Sequence, residues 1–285
     1  MNPTAKIIAD SISPQGIRIT TLHLRYWRPI HGEFMTHRVF GRNGRSSRAV
    51  PVKTLLSEPI VEPIEYGMNR PGMTAGEEMT GLRRFLARMI WRGMARMTRL
   101  GVRALHRLGA HKQWANRPLE WFGCIDVLVT STDWANFFAL RIDGAAQPEM
   151  RALAVAMKVA MRQSVPKPLR AGEWHLPYVT NDERAEFDLA TQLKLSTARC
   201  ARLTYKPFDG AGDVVSEIAR HDRLVVSQPV HASPAEHQAT PDVVLLDVAD
   251  QPRGWEKPQL HGNLRGWCQY RKMLPNEAVA ERRAA

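Results

Sequence analysis

The sequence is short of acidic residues, of cysteine and of long apolar runs. Its 28 Asp and Glu stand against 40 Lys and Arg, which gives a formal net charge of +12 and a pI near 10.1. A chain so biased draws anions, whether nucleic acid, nucleotides or anionic cofactors, although a solvated basic surface would show the same totals. The three cysteines, Cys124, Cys200 and Cys268, stand far apart, without the paired spacing that zinc or dithiol chemistry needs. No stretch approaches the roughly 18 apolar residues of a membrane span, and the opening "MNPTAKIIADSISPQG" lacks the apolar core of a signal peptide. These absences lead to the expectation of a cytoplasmic protein with reduced thiols and no membrane partner. The 285 residues, 44% hydrophobic and 24% charged, are enough for one full core.

Residues 17–26, "IRITTLHLRY", alternate with period two and predict a strand. Residues 50–74 are rich in Pro and Gly and read as an irregular connection. From 76 to 108 the period becomes helical: Leu82, Phe85, Leu86, Met89, Ile90 and Met97 recur at steps of three and four, with the methionines expected as core filler. Arg84, Arg88, Arg92 and Arg96 form an i, i+4 row, continued by Arg99, Arg103 and Arg107. Like charges at that spacing repel, so two readings stay open: a compensating partner, either a nucleic-acid backbone or acidic residues from another segment or subunit, and a solvated basic face. Residues 122–132 fit either a buried strand or the start of a helix. A strong helix is predicted from Pro148, with Pro in the first turn and Glu149 near the positive end of the dipole. A loop at 209–213 and a charged tail at 276–285 complete a chain read as a single domain, 1–285, without internal repeats.

Chemistry concentrates in "MTHRVFGRNGRSSRAVP", residues 35–51, which holds four arginines and no acid. His37, Arg38, Asn43, Ser46, Ser47 and Arg48, if they converge from one Gly-containing loop, make an oxyanion cradle of guanidinium forks, hydroxyls and backbone N–H groups. The residues alone allow a phosphate binder or a structural loop. In "HASPAEH", residues 231–237, Ser233, Pro234 and Glu236 have the spacing of a capping box that starts a helix. Neither His231 nor His237 has a metal-ligand set around it in the sequence.

The order of these residues resembles the flavin-dependent thymidylate synthase superfamily, whose Arg-His-Arg triplet is followed at fixed steps by Asn, Ser and Arg. Here the triplet reads Thr36-His37-Arg38, and Asn43, Ser46 and Arg48 fall at the family's steps. Residues 136–151, "NFFALRIDGAAQPEMR", resemble the family's asparagine-containing helix, and Arg117 in "NRPLEW" resembles an arginine that reaches the nucleotide. His231, Ser233, Glu236 and His237 match the family's His-x-(Ser/Thr)-Pro-x-Glu-His. "STARCARLTY" (196–205) resembles its Ala-Arg-x-x-Tyr segment, and "NLRGWCQYRK" (263–272) the stretch that leads into its triplet. Thr36 replaces the first arginine and Val230 the usual glycine. The 196–205 and 231–237 blocks follow the triplet instead of preceding it, an order that suits a rearranged, phage-type member. The blocks occupy 31–51, 111–151 and 196–272, with the basic helical segment 76–109 inserted among them.

The resemblance implies an α+β fold with a mixed sheet and long helices. It also implies flavin-dependent methylation of deoxyuridylate to thymidylate, with FAD as cofactor and NADPH and methylenetetrahydrofolate as co-substrates. By the same resemblance His37, Arg38, Asn43, Asn136, Ser233 and Glu236 hold the flavin, while Ser46, Ser47, Arg48, Arg117 and Arg141 hold the nucleotide. Arg141, Arg48 and His231 form the catalytic set. Family members are homotetramers with sites shared between subunits. Two other readings stay open. One is related chemistry on another pyrimidine, deoxycytidylate or a base within DNA, suggested by Thr36, Glu33 and the basic segment. The other is a non-catalytic nucleic-acid-binding homologue.

Overall fold

The alternation of residues 17–26 builds the central strand of a sheet, because its two rows of side chains find two different covers. The computed structural model describes residues 2–203, 212–249, 251–275 and 277. In chain order the chain forms strands β1 (Thr4–Ile12) and β2 (Arg18–Trp27), helix α1 (His31–Met35), strand β3 (Gly41–Gly44), then helices α2 (Val52–Ser57), α3 (Gly81–Arg107) and α4 (Lys112–Ala115). Strand β4 (Cys124–Ser131) is followed by α5 (Ala135–Arg141), α6 (Pro148–Gln163), the short β5 (Lys167–Pro168), α7 (Asn181–Glu186), α8 (Leu189–Arg202) and α9 (Val214–His221). The C-terminal part adds β6 (Ala239–Pro241), β7 (Val244–Leu246), β8 (Pro252–Trp255), β9 (Trp267–Gln269) and α10 (Tyr270–Met273). The charged tail, except position 277, and most of the 209–213 loop lie outside the described residues, as does Tyr205.

The five-stranded sheet has the order β3-β4-β2-β1-β5, antiparallel except for the parallel β1–β5 pair. The fold is therefore α+β with a mixed sheet and long helices. Residues 122–132, open between strand and helix in the sequence, form β4. Its register against β2 sets Leu22 opposite Val129, Leu24 opposite Val127 and Tyr26 opposite Ile125. This row packs against Met150, Leu153, Ala154 and Met157 of α6, with Phe34, Phe40 and Phe137 closing the end of the layer. The apolar residues of α6 recur at three- and four-residue steps, so one stripe of the helix covers one face of the sheet. Its start is fixed by Pro148 in the first turn and by the Glu149 carboxylate, which accepts from Ile64 N at 2.8 Å. On the opposite face Leu128 meets Tyr178, Cys200 and Leu203 around α8.

Helix α3 does not follow the same rule. The arginine row turns toward the body: Arg84 pairs with Glu78 at 3.1 Å, and Arg88 and Arg92 each reach Glu62 at 2.6 Å. The compensation for the like charges is thus supplied by acids of the preceding segment. Partial burial raises the Glu62 pKa, but the hydrogen bonds from Arg88 and Arg92 outweigh it and hold the carboxyl below its usual range. The apolar stripe, expected in the core, faces outward instead, and Leu82, Ile90 and Met97 are all exposed. Satisfying three arginines against the body decides which side of the helix docks, and the hydrophobic side is left over.

The capping box expected at Ser233 does not form. Ala232 stands at the N-cap of a single 3-10 turn, Ser233–Glu236, and no side chain caps it. The Glu236 carboxylate is drawn away by the Arg271 guanidinium, so it cannot reach back to the turn's first N–H groups.

Candidate active site

The stretch 35–51 is not one loop. It runs from the end of α1 through a turn into β3, the edge strand beside β4, and then into a 3-10 turn at Ser47–Ala49. Its four arginines divide by partner. Arg42 donates to the carbonyls of Phe34, at 3.3 Å, and Met35, at 2.8 Å. Arg45 is tied to Glu58 at 2.7 Å and Asp126 at 3.2 Å, and Arg25 joins the same two acids. These two arginines hold structure. Arg38 and Arg48 are exposed and have no acidic partner among the described residues, so their charge is available to an external anion.

At the Gly41 end of β3, segments from four distant parts of the chain meet. His37 is buried beneath Phe40 and Phe137, its ring edge-on to Phe137 at 4.9 Å. Its Nε2 accepts from Arg141 Nε at 3.0 Å, which places any ring proton on Nδ1. Burial first, and then the Arg141 and Arg42 charges, push the His37 pKa below its ordinary value, so the ring is held neutral. Arg141 in turn has no acidic partner among the described residues. Phe137 explains why α5 carries it there: the phenyl ring anchors one face of a two-turn helix in the aromatic cluster, and Arg141, four residues on, lies on the same side.

Strand alternation puts Gly41 and Asn43 on one face of β3. Asn43 Nδ2 donates to Cys200 O at 3.4 Å. A Cβ at position 41 would sit 3.3 Å from Glu236 Oε2 and 3.4 Å from Glu236 Cβ, so glycine is what allows the Ser233–Glu236 turn to approach the strand. Asn263 and Gln269 tie the same corner together, through Asn263 Nδ2 to Val39 O at 2.9 Å and Gln269 Nε2 to Glu236 O at 3.0 Å.

Next to Glu236, His237 is fully buried. Its Nδ1 bonds Thr130 Oγ1 at 2.8 Å, Thr130 bonds Thr21 at 2.6 Å, Thr21 bonds His175 Nε2 at 2.8 Å, and His175 Nδ1 bonds Ser11 at 2.9 Å. Burial pulls both histidines down to about 3, His175 with smaller contributions from Arg184 and His237, so both are neutral near pH 7. The chain of five side chains crosses three strands beneath the site and ends at His237 Nε2, which is buried without a partner. Sequence reasoning missed Thr21, Thr130 and His175. Thr21 and Thr130 become neighbours through strand register, and His175 joins them through its own bridge to Ala239; no local pattern encodes contacts between segments so far apart.

The other end of β3 carries the residues assigned to phosphate. Ser46 Oγ accepts from Arg48 N at 3.3 Å, an N-cap that keeps the Arg48 side chain at the surface. Ser47 is buried, and its hydroxyl donates to Glu120. Glu120 also holds Arg117 at 3.1 Å and Arg28 at 2.9 Å. Ser47, Glu120 and Arg28, with Arg45, Glu58 and Arg99, line one cleft together with apolar Val50, Leu55 and Leu119. From Gly41 to Ser47 the chain advances six residues, up to roughly 20 Å in an extended segment. Ser46, Ser47, Arg48 and Arg117 thus sit at one end of the strand, and His37, Arg141 and Glu236 at the other.

Asn136 lies exposed on the first turn of α5, and His231 and Ser233 are exposed beside the Glu236 turn. Thr36 donates its hydroxyl to Glu33 O at 2.7 Å, a local bond that closes the end of α1. Elsewhere, Asp242, His261 and Cys268 bring ligand-type atoms within 4.8 Å of one another. The Asp242 carboxylate there accepts from His261 Nε2 at 2.8 Å and from the backbone N–H groups of Val243 and Lys257, so the cluster reads as a hydrogen-bonded clasp.

No family model matches the chain, and no curated protein matches it. Among solved structures it is similar to a UMP/dUMP methylase PolB from Streptomyces cacaoi bound with 5-Br UMP, with a TM-score of 0.46 and 14% identity over 57% of this chain and 89% of that one. The same methylase bound with 5-Br dUMP gives a TM-score of 0.46 and 15% identity over 57% and 90% of the two chains. At this identity and TM-score the likeness decides neither family nor chemistry.

Proposed function

We propose that this chain is a flavin-dependent pyrimidine methylase that converts deoxyuridylate to thymidylate. The observation that carries the proposal is that His37 and Arg141 pair beside β3 on the side of the sheet covered by α6, while Asn43, Glu236 and His237 gather along β3 on its other face. These residues come from blocks separated by up to 200 positions, and each stands where the thymidylate synthase motifs have a counterpart.

The donor set suits the group such an enzyme would hold. Arg38 and Asn136 present an uncompensated charge and a free carboxamide, and His237 Nε2 leaves one buried polar atom unmet. In this reading His37, Arg38, Asn43, Asn136, Ser233 and Glu236 hold FAD. A bound flavin supplies reducing equivalents, with NADPH as their source and methylenetetrahydrofolate as the carbon donor. Arg141 would polarise a uracil carbonyl, and its hydrogen bond to neutral His37 fixes the guanidinium plane. In this reading His231, exposed beside the Glu236 turn, would approach the site from the surface. Ser46, Arg48 and Arg117 would take the nucleotide phosphate, and Ser47 orients Glu120 beneath them.

A nucleotide that touches both Arg141 and Arg48 would have to span both ends of β3. A site completed across subunits, in a homotetramer, meets that demand without distorting either end. No cysteine nucleophile is needed. Burial pushes the Cys268 thiol up to about 11, and Cys200 is raised further still, again by burial.

Purified protein loaded with FAD and given NADPH, methylenetetrahydrofolate and deoxyuridylate tritiated at C5 should release tritium in step with thymidylate. Flavin-loaded protein that releases none from deoxyuridylate would overturn the reading. Thr36 favours one alternative, the same chemistry on deoxycytidylate or a base in DNA, because its hydroxyl is spent locally and adds no cation toward a mononucleotide. Tritium release from those substrates alone would select it. The nucleic-acid-binding reading is weakened, since Arg84, Arg88 and Arg92 are paired with Glu62 and Glu78, which offset two of their three charges.

A further inference from the structure

We propose that the outward face of α3 is covered by α3 of a second copy of this chain, in an antiparallel pair that crosses near Gly93. The helix is amphipathic in reverse. On its inner side Ala95 and Val102 are buried, the Trp91 indole donates to Val61 O at 2.9 Å, and three arginines meet glutamates. On its outer side Leu82, Leu86, Ile90, Met97, Leu100 and Leu105 are between 39% and 70% exposed. A surface helix places its apolar stripe on the core, and a contiguous apolar patch left in water marks an interaction surface. The 27 residues of α3 extend about 40 Å at 1.5 Å per residue. A stripe of that length can supply on the order of the 800 Å² that one partner contributes to a standard interface.

Charge along the axis selects the partner and its direction. Between Gly81 and Arg107 there is no acidic residue. Glu77 and Glu78 immediately precede the helix, and Arg103 and Arg107, near its end, have no acidic partner among the described residues. A parallel pair would set arginine against arginine. An antiparallel pair brings Glu77 and Glu78 of each copy toward Arg107 of the other.

Shape gives the register. A two-fold axis between Gly93 and Met94 sets Leu86 opposite Gly101, Ile90 opposite Met97 and Leu82 opposite Leu105. At Gly93 and Gly101 an added Cβ would meet nothing within 4 Å, so both are open notches on the outer side. Each copy's Leu86 would fill the other's Gly101 notch, and Gly93 lets the backbones approach at the crossing. An anionic lipid surface would accept the stripe but gives the notches no role. A polynucleotide gives the stripe none.

Light scattering of the full chain should report a dimer or a larger even assembly. Leu86→Glu combined with Ile90→Glu should weaken association at least tenfold, with circular dichroism unchanged because both side chains are exposed. Gly93→Cys should cross-link to itself under mild oxidant, while Arg83→Cys, far from its own copy in this register, should not. A monomeric wild type, an unchanged mass in the double variant, or equal cross-linking at both positions would overturn the pair. So would a monomer that co-sediments with phosphatidylglycerol vesicles.

Discussion

The two ends of β3 are four to six residues apart in sequence and differ in kind. At the Gly41 end the buried polar groups lean on one another: His37 on Arg141, Glu236 on Arg271, His237 through Nδ1 on Thr130 and, through it, on three further buried side chains. At the Ser47 end the buried groups are spent on Glu120, while Arg48 stands free. The first end is a wall built before any ligand arrives, with neutral imidazoles set by burial. The second is a charged surface that acquires its partner by binding. On the proposed function, orientation of a reacting ring and capture of a phosphate would be separated along one strand.

Acid should expose the difference most strongly. His175 and His237 have folded pKa values near 3, below the unfolded value, so the unfolded chain binds more protons between those limits. Their contribution to stability is complete above about pH 6.5 and is lost as pH falls, at roughly 1.4 kcal/mol per unit for each histidine. Thermal melting should therefore drop steadily from pH 6.5 to 5, before carboxylates titrate. A flat profile there would show that the wall is not held by neutral histidines.

Arg141→Ala comes next. Losing a guanidinium aimed at developing charge should lower turnover about a hundredfold or more, and it frees His37 to titrate nearer its ordinary value. Retained turnover would remove Arg141 from the chemistry. Arg48→Ala should act at the other end alone. Nucleotide affinity should fall ten- to a hundredfold, the weight of one charge-assisted contact, while flavin retention stays the same. Equal loss of both would contradict the separation of the two ends. The smallest effect belongs to Gly41→Ala, which must shift Glu236 by a few tenths of an ångström and should cost about 1 kcal/mol in a melt.

Helix α6 was legible throughout, because Pro148, Glu149 and the stripe from Met150 to Met161 all point to one packed face. Helix α3 was as legible in period and extent, yet its orientation was not. A hydrophobic stripe says where a face lies but not what covers it, and the glutamates that turned its arginines inward belong to a Pro-rich segment with no pattern of its own. In the site, His37, Asn43, Arg141 and Glu236 could be picked out from motif order. The fate of Ser47 could not, since only folding brings Glu120 to it. Nor could the Thr21–Thr130–His175 relay, which exists only through strand register and the bridge from His175 to Ala239. Ser233 shows the converse, a good local capping signal overridden when Arg271 claims the glutamate.

The most direct test is a spectral titration of flavin-loaded protein with deoxyuridylate. A nucleotide held against the flavin at the Gly41 end should perturb the flavin absorption bands, and Arg141→Ala should remove the perturbation while the protein stays yellow. A protein that takes up no FAD, or whose bound flavin is indifferent to saturating nucleotide, would contradict a shared pocket at that end of β3.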